Sequence, residues 1–218
     1  MLECAPKLVK VVETLRPESS PPNAAVSAVT PKAGKMQPAA KSKLLFVRHG
    51  ECVANLEQVF AGGDMDSPLT DKGRRDAVET AEKLLKKGIT VDQVTSSPLS
   101  RAYDTAEIIL ETMGLELPIK VDDRLAERKV GLLSGQPMKE KFAMMKTADR
   151  EPTAEARRQL FDRVKLAIDD LKQNTGITLI VAHNGVLKAL RCVEKNLSPE
   201  EMSEMPNLEN GEIYEIEY

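Results

Sequence analysis

Short apolar runs alternate with longer amphipathic stretches along this 218-residue chain, and the alternation predicts an α/β fold: a three-layer α/β/α sandwich around a mostly parallel central sheet. The length agrees, since it accommodates one large domain with a tail. Composition agrees too, with 41% hydrophobic and 30% charged residues, as in an ordinary globular chain.

The first apolar run, KLLFV at 43 to 47, is the first expected strand. Residues 71 to 87 set Ala77, Val78, Ala81, Leu84 and Leu85 on one helical face, and Gly88 stops the helix. VDQVTSS at 91 to 97 is the second strand, followed by a helix over 99 to 114 that ends at Gly114. LPIKV at 117 to 121 is the third strand, and residues 154 to 176 form a long helix closed by Asn174 and Gly176. ITLIVAH at 177 to 183 is the most apolar strand. A helix from about Val186 to Lys195 and a final strand, GEIYEIEY, complete the series. One α/β domain is thus expected over 43 to 218.

Residues 1 to 42 differ from the rest, with Pro6, Pro17, Pro21, Pro22, Pro31 and Pro38 set among Ala, Ser and Lys. They read as a flexible leader. Leu8, Val11, Val12 and Leu15 recur at helical spacing after Pro6, which allows one short helix over 6 to 16. Glu3, Glu13 and Glu18 argue against an acid-poor organellar targeting peptide.

A net charge of −3 gives no general attraction to nucleic acid, so any anion site must be local. No run approaches the roughly 18 apolar residues of a membrane span. Cys4, Cys52 and Cys192 are odd in number, far apart and without a CxxC pair, which fits a reducing cytoplasm.

The chain has two histidines, His49 and His183, and each directly follows an apolar strand run. Both should lie at strand carboxyl ends, the edge of an open α/β sheet where ligands bind. The His-x-Glu at 49 to 51 superficially opens a zinc deaminase motif, but the Pro-Cys-x-x-Cys that must follow is absent. His183 has no neighbouring His or Asp to complete a ligand set, so no metal is expected. A GxxxxGK[ST] loop and a serine nucleophile elbow are absent as well. Arginine is the better clue: Arg48 adjoins His49, and Arg101 lies just after the second strand. Guanidinium forks match phosphate oxygens bidentately, so the two would hold a tetrahedral dianion beside an imidazole.

RHGECVAN at 48 to 55 resembles the Arg-His-Gly-Glu-x-x-x-Asn signature of the histidine phosphatase superfamily, which includes the cofactor-dependent phosphoglycerate mutases. The resemblance continues in order through VFAGGDMDSPLTDKGRRDA, SSPLSRAYDTAEII, RLAERKVGLLSG and LIVAHNGVLKALR, covering about 43 to 218. It implies that His49 accepts the phosphoryl group while Arg48, Arg101 and a protonated His183 bind and polarise it. It implies that Glu127 protonates the leaving oxygen, a role that calls for a raised carboxyl pKa. Asn55, Gly62 and Asn184 are expected to bind substrate, and Glu51 to orient the loop in an ion pair with the arginines. No cofactor is expected, since arginines and His183 supply the positive charge.

Three positions depart from the family pattern. Asn184-Gly185 follows His183 where a Gly commonly comes first, Cys52 replaces a small hydroxyl residue, and Ala61 stands where mutases carry Thr. The segment between Glu127 and His183 is short and the chain has no Trp, unlike the insertion of glycolytic mutases, which favours a hydrolase. Met138, Phe142, Met144 and Met145 in that segment suit either a lid or simple packing. The expected activity is hydrolysis of a small phosphorylated metabolite. The alternatives are a mutase-type phosphotransferase, or a phosphoprotein phosphatase or phospho-ligand binding domain with little turnover. Oligomeric state is left open by the sequence.

Overall fold

The computed structural model describes residues 43–140 and 152–217. The expected leader and its helix over 6 to 16 lie outside them, as do Phe142, Met144 and Met145. A five-stranded sheet runs through the domain: β1 (Lys43–Arg48), β2 (Gln93–Ser96), β3 (Ile119–Val121), β4 (Ile177–Ala182) and β5 (Ile213–Glu217), in spatial order β3-β2-β4-β1-β5. All neighbouring pairs are parallel except β1 with β5.

Strands buried on both faces have no reason to alternate polar and apolar residues, and β1 does not. Leu44 and Phe46 point into one core with Ile180, Ala182 and Leu187. Leu45 and Val47 point into the other with Leu179, Val181, Ala77 and Ile109. Helices α4 (Arg157–Leu171) and α5 (Asn184–Glu194) cover the first face, while α2 (Asp71–Lys86) and α3 (Ser100–Met113) cover the second. This is the three-layer sandwich expected from the sequence. A short helix α1 (Val53–Leu56) follows the loop that leaves β1.

The helix ends obey local chemistry. Thr70 caps α2 by accepting the Gly73 N–H at 3.0 Å, and Gly114 closes α3 in the left-handed region at φ +67°. Two glycines let the loop after β1 pass close to α2: a Cβ on Gly50 would strike the Gly73 carbonyl, and one on Gly73 would strike Glu51 O. Most boundaries differ from expectation by a few residues at frayed ends. α5 begins at Asn184 rather than near Val186, because His183 already has the extended geometry of an N-cap. Leu85 is 49% exposed and falls off the buried face of α2.

The register sets the site. Arg48 pairs with Ala182, and the ladder continues through the His49 N–H to Ala182 O at 3.0 Å. His49 and His183 therefore leave adjacent parallel strands side by side. Ser97 leaves β2 at the same level, its N–H donating to Val181 O at 3.0 Å.

Candidate active site

At this edge of the sheet a cleft of about 170 Å³ is lined by Arg48, His49, Asn55, Arg101, Glu127 and Asn184, among others. The two imidazole rings lie with centroids 5.0 Å apart and tilted by 60°. His49 donates Nδ1–H to Gly50 O at 2.7 Å, the arrangement that puts the lone pair on Nε2. Burial, then Arg101 and Arg48, push its pKa well below 6.5. A neutral ring with a fixed tautomer is what a nitrogen nucleophile requires.

Both arginines are held by backbone carbonyls and left cationic by the chemistry of guanidinium. Arg48 donates Nη1–H to Leu208 O at 2.7 Å, and its Nε is buried with no protein acceptor among the described residues. Arg101 is 2% exposed and donates to Gly62 O at 2.9 Å and Met65 O at 3.2 Å, with Asp66 at 3.8 Å. Gly62 therefore sits beneath Arg101, and its φ of +60° and crowding by Val130 suit glycine alone.

His183 is fully buried, with Nε2 2.7 Å from Ser97 Oγ. Its pKa is also driven well below 6.5, by burial first and then by Arg101, His49 and Arg48. The expectation of a protonated His183 is thus corrected for the unliganded site: two guanidinium groups and a dehydrated surrounding favour the neutral ring.

Glu127 faces the cleft with both oxygens engaged by backbone donors, Oε1 by Arg128 N–H at 2.8 Å and Oε2 by Gly185 N–H at 3.2 Å. The loop that carries it is braced from α4. Arg163 donates to Arg124 O at 2.6 Å and Glu127 O at 3.3 Å, and pairs with Glu155 at 2.6 Å.

Asn55 uses Oδ1 to accept from Cys52 N–H, Cys52 Sγ and Asn210 Nδ2, each at 3.2 Å. Three donors converging on one atom fix which end of the amide is the oxygen. Asn184 lies on the cleft wall, but both ends of its side chain pair with Leu208, Nδ2 to the carbonyl at 3.1 Å and Oδ1 from the N–H at 2.9 Å. Leu208 thereby links Asn184 to Arg48. Glu51 does orient the loop, yet not through arginine: it accepts from Thr70 Oγ1 at 2.9 Å and lies 3.7 Å from Lys72. The arginines point into the cleft, and Lys72 on α2 is the cation within reach. Cys52 lines the cleft as a free thiol, and Met138 lines it too.

The structure thus brings His49, Arg48, Arg101, His183, Glu127, Asn55, Gly62 and Asn184 to one strand edge. Ser97, Asn210 and the Arg163–Glu155 pair are further members that the sequence reading did not single out. Ser97 alone had a signal, standing at the same strand edge as the two histidines.

Comparison with known proteins agrees with this geometry. The family model described as "Histidine phosphatase superfamily (branch 1)" matches residues 44–218. A 2,3-bisphosphoglycerate-dependent phosphoglycerate mutase of Bifidobacterium longum is 30% identical over 200 residues, covering 75% of this chain and 81% of the mutase. The fructose-2,6-bisphosphatase TIGAR of Bos taurus is 37% identical over 110 residues, 50% of this chain, which spans 40% of that relative's length. Among solved structures, a mycobacterial glucosyl-3-phosphoglycerate phosphatase in complex with VO3 superposes with a TM-score of 0.69 at 26% identity, covering 81% of this chain and 92% of its own. With a match running across the whole described domain, the chain belongs to the histidine phosphatase superfamily, a family of phosphatases and phosphoglycerate mutases.

Proposed function

We propose that this protein is a metal-independent phosphomonoester hydrolase of the histidine acid phosphatase type, acting on a small phosphorylated metabolite in the cytoplasm. One observation carries the reading: His49 donates Nδ1–H to Gly50 O at 2.7 Å, so Nε2 offers a lone pair in a cleft lined by half-buried Arg48 and buried Arg101, with burial and the two guanidinium groups holding the ring's pKa down. Nε2 attacks phosphorus in line, the ester P–O bond breaks, and Glu127 gives a proton to the departing oxygen. Arg48, Arg101 and His183 stabilise the equatorial oxygens, where preorganised donors act most strongly. Water then attacks phosphorus and yields its proton to Glu127. The P–N bond breaks, its electron pair returns to Nε2, and phosphate leaves.

The cleft, about 170 Å³, is below the usual range for drug-sized ligands, which favours a small leaving group. An acid at Glu127 suits alkyl esters, whose alkoxides leave poorly without a proton. The intact His, Arg and Glu set argues against a mere phospho-ligand binding domain. A mutase-type transfer shares every step up to the phosphohistidine, and the similarity to the Bifidobacterium mutase keeps it as the second reading.

The test is phosphate release from a panel of phosphomonoesters in EDTA, wild type beside His49→Ala, with 3-phosphoglycerate plus bisphosphoglycerate included. The reading expects release that the variant loses. Isomerisation without release would replace it with the mutase, and metal-dependent or His49-independent release would end it.

A further inference from the structure

His183 has a buried Nδ1 with no partner among the described residues, while its Nε2 lies 2.7 Å from the hydroxyl of Ser97, a residue 0% exposed. A phosphoryl oxygen only accepts hydrogen bonds, so a neutral His183 can serve it only through a nitrogen that carries the proton. Which nitrogen does is decided at Ser97.

The serine hydroxyl has one proton and two lone pairs. One lone pair accepts the Leu99 N–H at 3.3 Å. The hydroxyl proton then has one acceptor among the contacts that Ser97 makes, the Nε2 of His183. If Nε2–H were the donor instead, the buried serine proton would be left without an acceptor and the buried Nδ1 lone pair without a donor. Each such orphan is unfavourable in a dry interior. With Ser97 donating, both the hydroxyl and Nε2 are satisfied, and the one group left over is an Nδ1–H donor. That donor sits on a ring 5.0 Å from His49 and acted on by Arg101 and Arg48, among the groups that hold the phosphoryl oxygens.

We infer that Ser97 is a positioning residue for phosphoryl transfer: its hydroxyl donates to His183 Nε2, fixes the Nδ1–H tautomer, and so makes neutral His183 a hydrogen-bond donor to the transferring phosphoryl group. The two histidines then form a complementary pair, one tautomer locked by Gly50 O to expose a lone pair and the other by Ser97 to expose a proton. The inference rests on the phosphohistidine reading for its role, but the tautomer itself is a property of the resting protein.

The test is long-range 1H–15N correlation of the two imidazoles in the full chain at mildly alkaline pH, assigned with His49→Ala. The expected pattern shows His183 as the Nδ1–H tautomer in wild type. In Ser97→Ala it shows Nε2–H or a mixture, and kcat/KM falls about 10- to 100-fold for alkyl and aryl esters alike. An Nε2–H tautomer in wild type overturns the inference, as does a Ser97→Ala protein that keeps the Nδ1–H tautomer or full activity. If Ser97→Ala does not fold, the wild-type spectrum decides. If wild type releases no phosphate, the hydrolase reading falls while the tautomer remains measurable.

Discussion

Gly185→Ala should separate catalysis from stability. The added Cβ would overlap Glu127 Oε1 and stand 3.2 Å from its Cδ, contacts with the free end of a flexible side chain rather than with backbone. Glu127 therefore swings aside, and the Gly185 and Arg128 N–H groups lose their acceptors at 3.2 and 2.8 Å. Losing the two bonds costs about 2 kcal/mol, and replacing Gly by Ala in the first turn of α5 returns less than about 1 kcal/mol. The net destabilisation should stay within about 2 kcal/mol, a Tm shift below about 8 °C for a chain of this size. A general acid contributes about 10²- to 10⁴-fold, so kcat/KM for an alkyl phosphate, which reads the steps up to the phosphohistidine, should fall about 100-fold. For an aryl ester such as p-nitrophenyl phosphate, whose leaving group needs no proton, kcat/KM should fall less than about tenfold, while the shared hydrolysis step lowers kcat for both. Steady-state kinetics on both esters beside a melting curve make the test. Equal losses of kcat/KM on the two in a folded variant would refute the assignment of Glu127 as the leaving-group acid, and a loss of fold would refute the stability estimate.

Two other perturbations follow from the same geometry. His49 and His183 titrate well below 6.5 when folded and near 6.5 when unfolded, so the unfolded chain binds more protons between those values. Stability should thus be flat in these groups above pH about 6.5 and fall below it by about 1.4 kcal/mol per pH unit for each histidine. Urea midpoints of wild type against His49→Gln across that range would show the slope diminish in the variant, and an unchanged slope would count against a depressed pKa. Asn184→Ala removes both bonds to Leu208, whose carbonyl also holds Arg48. KM should rise about tenfold with a smaller change in kcat, read from initial rates. An unaltered KM would mean that Leu208 needs no help in holding Arg48.

The sequence made some of this legible and hid the rest for physical reasons. Strands buried on both faces, such as β1 and β4, announce themselves as short uninterrupted apolar runs, and the residues that follow them are the ones a parallel sheet presents to ligand. His49 and His183 could be found that way before any coordinates. Asn184 lines the cleft, but the hydrogen-bond partner of its side chain is the backbone of Leu208, which carries no side-chain signature in a sequence. His183 was expected to be charged because the sequence shows charges but not burial, and burial is the first cause of its lowered pKa. The Arg163–Glu155 brace joins α4 to the Glu127 loop and looks in sequence like any solvated helix charge.

The central claim is that the phosphoryl group passes through His49. Rapid mixing with substrate, an alkaline quench and peptide mapping by mass spectrometry test it most directly. The account predicts an alkali-stable, acid-labile phosphoryl group on His49, formed and consumed at rates compatible with turnover. Turnover with no phosphohistidine at His49, or with the label on another residue, would contradict it.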